Sequence, residues 1–150
     1  MASQYITFMI IFTLGLSMVI ITNGIFLSLS EQFRTNVADI EMTRILTLIQ
    51  SQIQRNLLFH TDSTQIIEQE IELPVLLGQG LRYTIELSNS SNSQDIILHG
   101  FTINNEINQE TTISLGTKYT IVAGGEFHSI TPLLTIHIEK NVNYIALTIS

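Results

Sequence analysis

The chain has 150 residues, room for one domain and an appendage but not for two full domains. It is 45% hydrophobic yet only 13% charged, where an ordinary soluble domain is about 25% charged. Its net charge of −7 with six Lys and Arg argues against binding nucleic acid, which needs basic patches to displace counterions. The same acidity argues against docking on anionic lipid headgroups, and the lack of cysteine removes disulfides, zinc–thiolate sites and cysteine catalysis.

The charge is unevenly spread. Residues 1–58 balance Glu31, Asp39 and Glu41 against Arg34, Arg44 and Arg55, and the whole −7 falls on residues 59–150. From Met1 to Ser30 there is no Asp, Glu, Lys, Arg or His. The 26 residues Tyr5–Ser30 would span roughly 39 Å as a helix, more than the ~30 Å of a bilayer's hydrocarbon core. A cleaved signal peptide is the competing reading, but no basic residue precedes this run and it is longer than a signal's apolar core. Thr13, Gly15, Ser17, Gly24 and Ser28 interrupt it, with Thr13 and Ser17 four apart, as are Gly24 and Ser28. Small residues at that spacing let helix backbones approach closely; they are equally compatible with a lone anchor, where glycine is well tolerated.

Residues 31–58 contain no proline or glycine. Apolar residues at Phe33, Val37, Ile40, Met42, Ile45, Leu46, Ile49, Ile53 and Leu57 fall at helical spacing opposite a polar face. The spacing predicts one helix over about Gln4–Leu58, apolar all round in residues 1–30 and amphipathic in 31–58. Its stripe needs a partner, and the rest of the chain is the nearest candidate.

After Leu58 the period changes at the polar break His60–Ser63. Runs rich in Ile, Thr and Tyr predict strands at Gln65–Leu73, Leu81–Leu87, Asp95–Ile103, Thr111–Leu115, Lys118–Val122, Leu133–Lys140 and Tyr144–Ile149. Turn signals separate them: Pro74 with Gly78 and Gly80, the Ser88–Ser93 run, Gly116, Gly124-Gly125 and Asn141–Asn143. Residues 59–150 are therefore expected to form an antiparallel sheet, curled or doubled into a small sandwich and packed on the amphipathic half-helix.

No catalytic, cofactor-binding or metal-binding set emerges. Gly78-Gln79-Gly80 lacks the Lys-Ser/Thr of a phosphate loop, and no Gly-x-Ser-x-Gly elbow occurs. His128 and His137 could meet across neighbouring strands, but four histidines without ligand spacing read more simply as surface side chains. Glu68, Glu70 and Glu72 alternate with Ile67, Ile71 and Leu73 as the solvent face of a half-buried strand. Asn89-Ser90-Ser91 is the one glycosylation sequon.

A long apolar helix running into an amphipathic one, followed by a small cysteine-free β domain, resembles the layout of archaeal type IV pilin-like proteins, which include adhesive pilins and archaellins. Local echoes are Leu73-Pro74 followed by Gly80, the alternating Arg82-Tyr83-Thr84-Ile85, and the later Gly124-Gly125. The resemblance covers the whole chain, in layout more than in motif. It departs from the family in that no basic leader stands ahead of the helix, so either Met1 begins an unprocessed chain or the leader is not included, and in that no glutamate precedes Glu31; the second departure sets it apart from bacterial-type pilins.

The resemblance implies an α+β protein whose helices bundle in a filament core, with Thr13, Gly15, Ser17, Gly24 and Ser28 as contact points and the β domain outside. Its expected partners are further copies of itself, the membrane before assembly, and surface-layer or other pilin subunits, with no nucleic acid and no cofactor. The expected location is the cell surface, although Arg34, Arg44 and Arg55 following the span would by the positive-inside rule place the β domain inside. The alternative expectation is a single-pass anchored binding module, such as an archaellum stator component gripping a surface layer. A tethered enzyme has no acid–base–nucleophile set to support it.

Overall fold

The structure, a computed structural model, describes residues 2–59, 65–78, 80–90, 95–114, 120–141 and 144–150. The predicted break at His60–Ser63, the Gly116 turn and Ser91–Ser93 lie outside them. One helix, α1 (Ala2–Phe59), is followed by seven strands: β1 (Gln65–Glu72), β2 (Tyr83–Asn89), β3 (Asp95–Thr102), β4 (Asn108–Ser114), β5 (Thr120–His128), β6 (Leu133–Lys140) and β7 (Tyr144–Ile149). The fold is α+β, as expected. The chain divides into two compact units, one ending at Asn36 and the other covering Val37–Ser150, so the second half of α1 belongs with the sheet.

In the second unit α1 buries Ala38, Met42, Ile45, Leu46, Ile49 and Ile53. This is the i, i+4, i+7, i+8 spacing of one helix face. Val37 and Ile40 were expected on that stripe but are exposed. At 100° per residue they lie roughly 140° and 160° from Met42, on the far side of the helix from the sheet. Phe33, in the first unit, is exposed as well.

The strands follow the order β1-β6-β7-β5-β2-β3-β4. Every neighbouring pair is antiparallel except β5 and β7, which run parallel. Strand β5 serves two partners. Thr120–Gly125 pairs with β7, and Glu126–His128 pairs with β2. The sheet thus has two four-stranded arms that share β5. The turn expected at Gly124-Gly125 is instead the point where β5 changes partner. Gly125 has φ +124°, and a Cβ there would overlap the Ile149 carbonyl oxygen and stand 2.8 Å from its nitrogen. Glycine is there for conformation and close backbone approach, not for chain reversal.

Period-two alternation sends one face of β3, β6 and β7 inward. Ile96 and Leu98 of β3, Leu134, Ile136 and Ile138 of β6, and Ile145, Leu147 and Ile149 of β7 join the helix residues in one apolar core. Gly100 on β3 is a close seat for the helix, since a Cβ there would stand 2.5 Å from Met42 Sδ. Side-chain hydrogen bonds fix the registry along the helix. Gln109 Nε2 donates to Asp39 Oδ1 (2.6 Å), the Gly78 N–H donates to Glu41 Oε2 (2.5 Å), Gln50 Nε2 donates to the Thr112 carbonyl (3.3 Å), and Asn56 Nδ2 donates to Gln69 Oε1 (2.5 Å).

Candidate functional site

The first unit is a helix whose described side chains are largely uncovered. Every described side chain from Gln4 to Phe33 is exposed, and the helix is long and apolar enough to cross a membrane. Seventeen large apolar side chains between Tyr5 and Leu29 face outward. At ~1.5–3 kcal/mol for burying each, the uncovered surface represents tens of kcal/mol. That exceeds the ~5–15 kcal/mol net stability of a whole domain, so this segment requires lipid or other protein around it.

Three of its hydroxyls bond back within the helix. Thr13 Oγ1 donates to the Met9 carbonyl (2.7 Å), Ser17 Oγ to that of Thr13 (2.8 Å) and Thr22 Oγ1 to that of Met18 (2.8 Å). A hydroxyl bonded back one turn costs little in apolar surroundings and leaves a small, nearly apolar bump on the surface. Helical geometry sorts the five expected contact residues. Thr13, Ser17, Gly24 and Ser28 fall within an arc of about 60°, whereas Gly15 lies on the opposite side. A Cβ added at Gly15 or Gly24 would meet nothing within 4 Å, so among the described residues nothing requires glycine there.

The sheet's outward face bears the acidic surface. Glu68, Glu70 and Glu72 are exposed along β1, as the alternation predicts. His128 and His137 do not meet across neighbouring strands, because β7 separates β5 from β6. His128 Nδ1 pairs with Thr84 Oγ1 (3.1 Å), and His137 stands opposite Glu68 and Thr148. Among the described residues no three His, Cys, Asp or Glu side chains converge on a metal position. A cleft of about 290 Å³ beside the helix, lined by Glu41, Arg44, Leu48, Glu72, Leu73 and Pro74 among others, holds two carboxylates and a guanidinium without a nucleophile.

Asn89 has a structural role that sequence reading missed. Its Nδ2 donates to the Ile121 carbonyl (2.9 Å), and its Oδ1 accepts the Ala123 N–H (2.5 Å). These bonds imitate a strand ladder where β2 and β5 have stopped pairing. The nitrogen that a glycan would occupy is the one that closes this gap. Compared with known proteins, the chain matches no family model, no curated protein and no solved structure.

Proposed function

We propose that this protein is a structural subunit of an archaeal pilus-like surface filament, held in the membrane before assembly and polymerising through its N-terminal helix. The carrying observation is the uncharged helix to Ser30, whose apolar side chains are exposed on every side. A segment that passes from lipid into a helical bundle needs an apolar surface all round plus a line of small residues, and Thr13, Ser17, Gly24 and Ser28 supply such a line. The exposed Val37 and Ile40 favour this reading over a lone anchor. They carry apolar helix surface past the charged Glu31, Arg34 and Asp39, where a neighbouring helix covers it better than lipid does. The layout shared with archaeal type IV pilin-like proteins points the same way.

Two measurements test the proposal. Negative-stain microscopy of the purified full chain under assembly conditions is expected to show filaments. The chain has no cysteine, so a Gly24→Cys variant oxidised in cells can form disulfide-linked dimers of itself only by contact between copies. Dispersed monomers or micelles, with Gly24→Cys joined to a different protein alone, would instead establish the single-pass anchored binding module.

A further inference from the structure

Three connections meet at one end of the sheet. Residues 73–82 leave β1 and lead into β2, residues 103–107 join β3 to β4, and residues 129–132 join β5 to β6. The strand registers place them together. Glu72 pairs with Leu133, Tyr83 with Thr102, Thr84 with His128 and Phe101 with Asn108. Backbone bonds from Leu73 N to the Pro132 carbonyl (2.7 Å) and from Ser129 N to the Tyr83 carbonyl (3.0 Å) tie two of the connections across. The second unit's helix begins at this same end, since Glu41 holds Gly78 and Asp39 holds Gln109.

These connections are apolar at their tips. Ile103 is 71% exposed and Ile130 69%, with Val75, Leu76 and Leu133 also standing out. Single exposed apolar residues are ordinary, but here they cluster on one end of a unit that is otherwise acidic. The only charged residues in the three connections, Arg82 and Glu106, cancel. The chain itself says what lies nearby. Six residues separate Ser30, the last of the charge-free segment, from Val37, so across the seven peptide links their Cα atoms stand at most about 25 Å apart in any arrangement.

We infer that this end of the β unit rests on the bilayer that the N-terminal helix enters, with Ile103 and Ile130 in the headgroup–acyl boundary. The inference builds on the membrane-inserted state of the proposed function. The covalent tether supplies the encounter, so the tips need no basic residues to attract anionic lipid. Their lack of net charge spares them the repulsion that the acidic strand faces would meet. Short apolar side chains on neutral loops suit the interfacial layer, where the backbone stays hydrated and the side chain does not.

The chain has no tryptophan, so one introduced tryptophan reports its own site. The full chain carrying Ile103→Trp, Ile130→Trp or Ser114→Trp is reconstituted into phosphatidylcholine vesicles with and without brominated lipid, and flotation with the vesicles is checked for each. Ser114 is exposed at the opposite end of β4 and controls for tryptophan's own taste for interfaces. The expected result is blue-shifted emission that loses intensity to brominated lipid at positions 103 and 130 but not at 114. Flotation without quenching at 103 and 130 would overturn the inference while leaving the anchor standing. A blue shift that brominated lipid does not quench, and that grows with protein density, would overturn it in favour of contact between copies. Failure to float would remove the membrane-inserted state itself.

Discussion

Tyr83 joins the sheet to the connection before it. Its hydroxyl donates to the Pro74 carbonyl (2.6 Å), its backbone N–H donates to Ser129 Oγ (2.9 Å), and its ring packs on Phe127. Burial raises the phenol pKa well above its ordinary value of 10.0, because the charged phenolate would lose its hydration inside the core. The sign follows from proton counts. Above pH 10 the unfolded chain gives up this proton while the folded chain keeps it, so stability is intact below pH 10 and falls as pH rises beyond it. Tyr83→Phe should cost about 1 kcal/mol at neutral pH through the lost hydrogen bond. It should also flatten the alkaline decline in chemical denaturation curves. A wild-type decline between pH 9 and 11 no steeper than that of Tyr83→Phe would refute this account. Asn89 teaches a related lesson at the same scale. A three-residue sequon was legible in the chain, but its use as a bridge to Ile121 and Ala123 depends on where two strands part.

Among the elements, strand β5 shows most clearly what sequence could and could not reveal. The strands β6 and β7 end where alternation predicted, since period two across a half-buried sheet is a local signal. The pair Gly124-Gly125 read as a turn because glycine pairs usually are turns. Its actual cause, the approach of the Ile149 backbone, lies 24 residues away and left no local trace. The parallel pairing of β5 with β7 was invisible for the same reason. Helix α1 was legible in extent, whereas its stripe was read too long. Val37 and Ile40 fit helical spacing among themselves, yet they face away from the residues that meet the sheet. The two glycines of β5 provide a paired test. Gly125→Ala should destabilise the β unit by about 1–3 kcal/mol or more, from the positive φ and the overlap with Ile149. At Gly124 a Cβ meets nothing within 4 Å, so Gly124→Ala should be close to neutral. Equal losses in thermal unfolding of the two variants would show that β5 does not change partners there.

For the molecule as a whole, the functional question turns on where one helix stops being uncovered and starts serving the fold. The candidate contact residues Thr13, Gly15, Ser17, Gly24 and Ser28 could be picked out as small interruptions of an apolar run, and 100° per residue then separated Gly15 from the rest. What those residues touch could not be read, because none of the described residues of their own chain covers them. The second half of α1 is different, since its partners are in the same chain. Its six buried residues, Ala38, Met42, Ile45, Leu46, Ile49 and Ile53, contribute on the order of 10 kcal/mol at ~1.5–3 kcal/mol for each large side chain. That matches the net stability of an entire domain, so the sheet cannot dispense with them. Two truncations separate the roles. A chain beginning at Val37 should fold cooperatively and stay soluble without detergent, because it keeps the whole core and loses only the uncovered apolar segment. A chain beginning at His60 should lose cooperative unfolding and aggregate, because the inward faces of β3, β6 and β7 would lie open to water. Circular dichroism melts and size-exclusion chromatography would read both results. A well-folded, monodisperse product from the second truncation would mean that the amphipathic half of α1 is dispensable to the β unit, and its apolar stripe would then need a partner outside this chain.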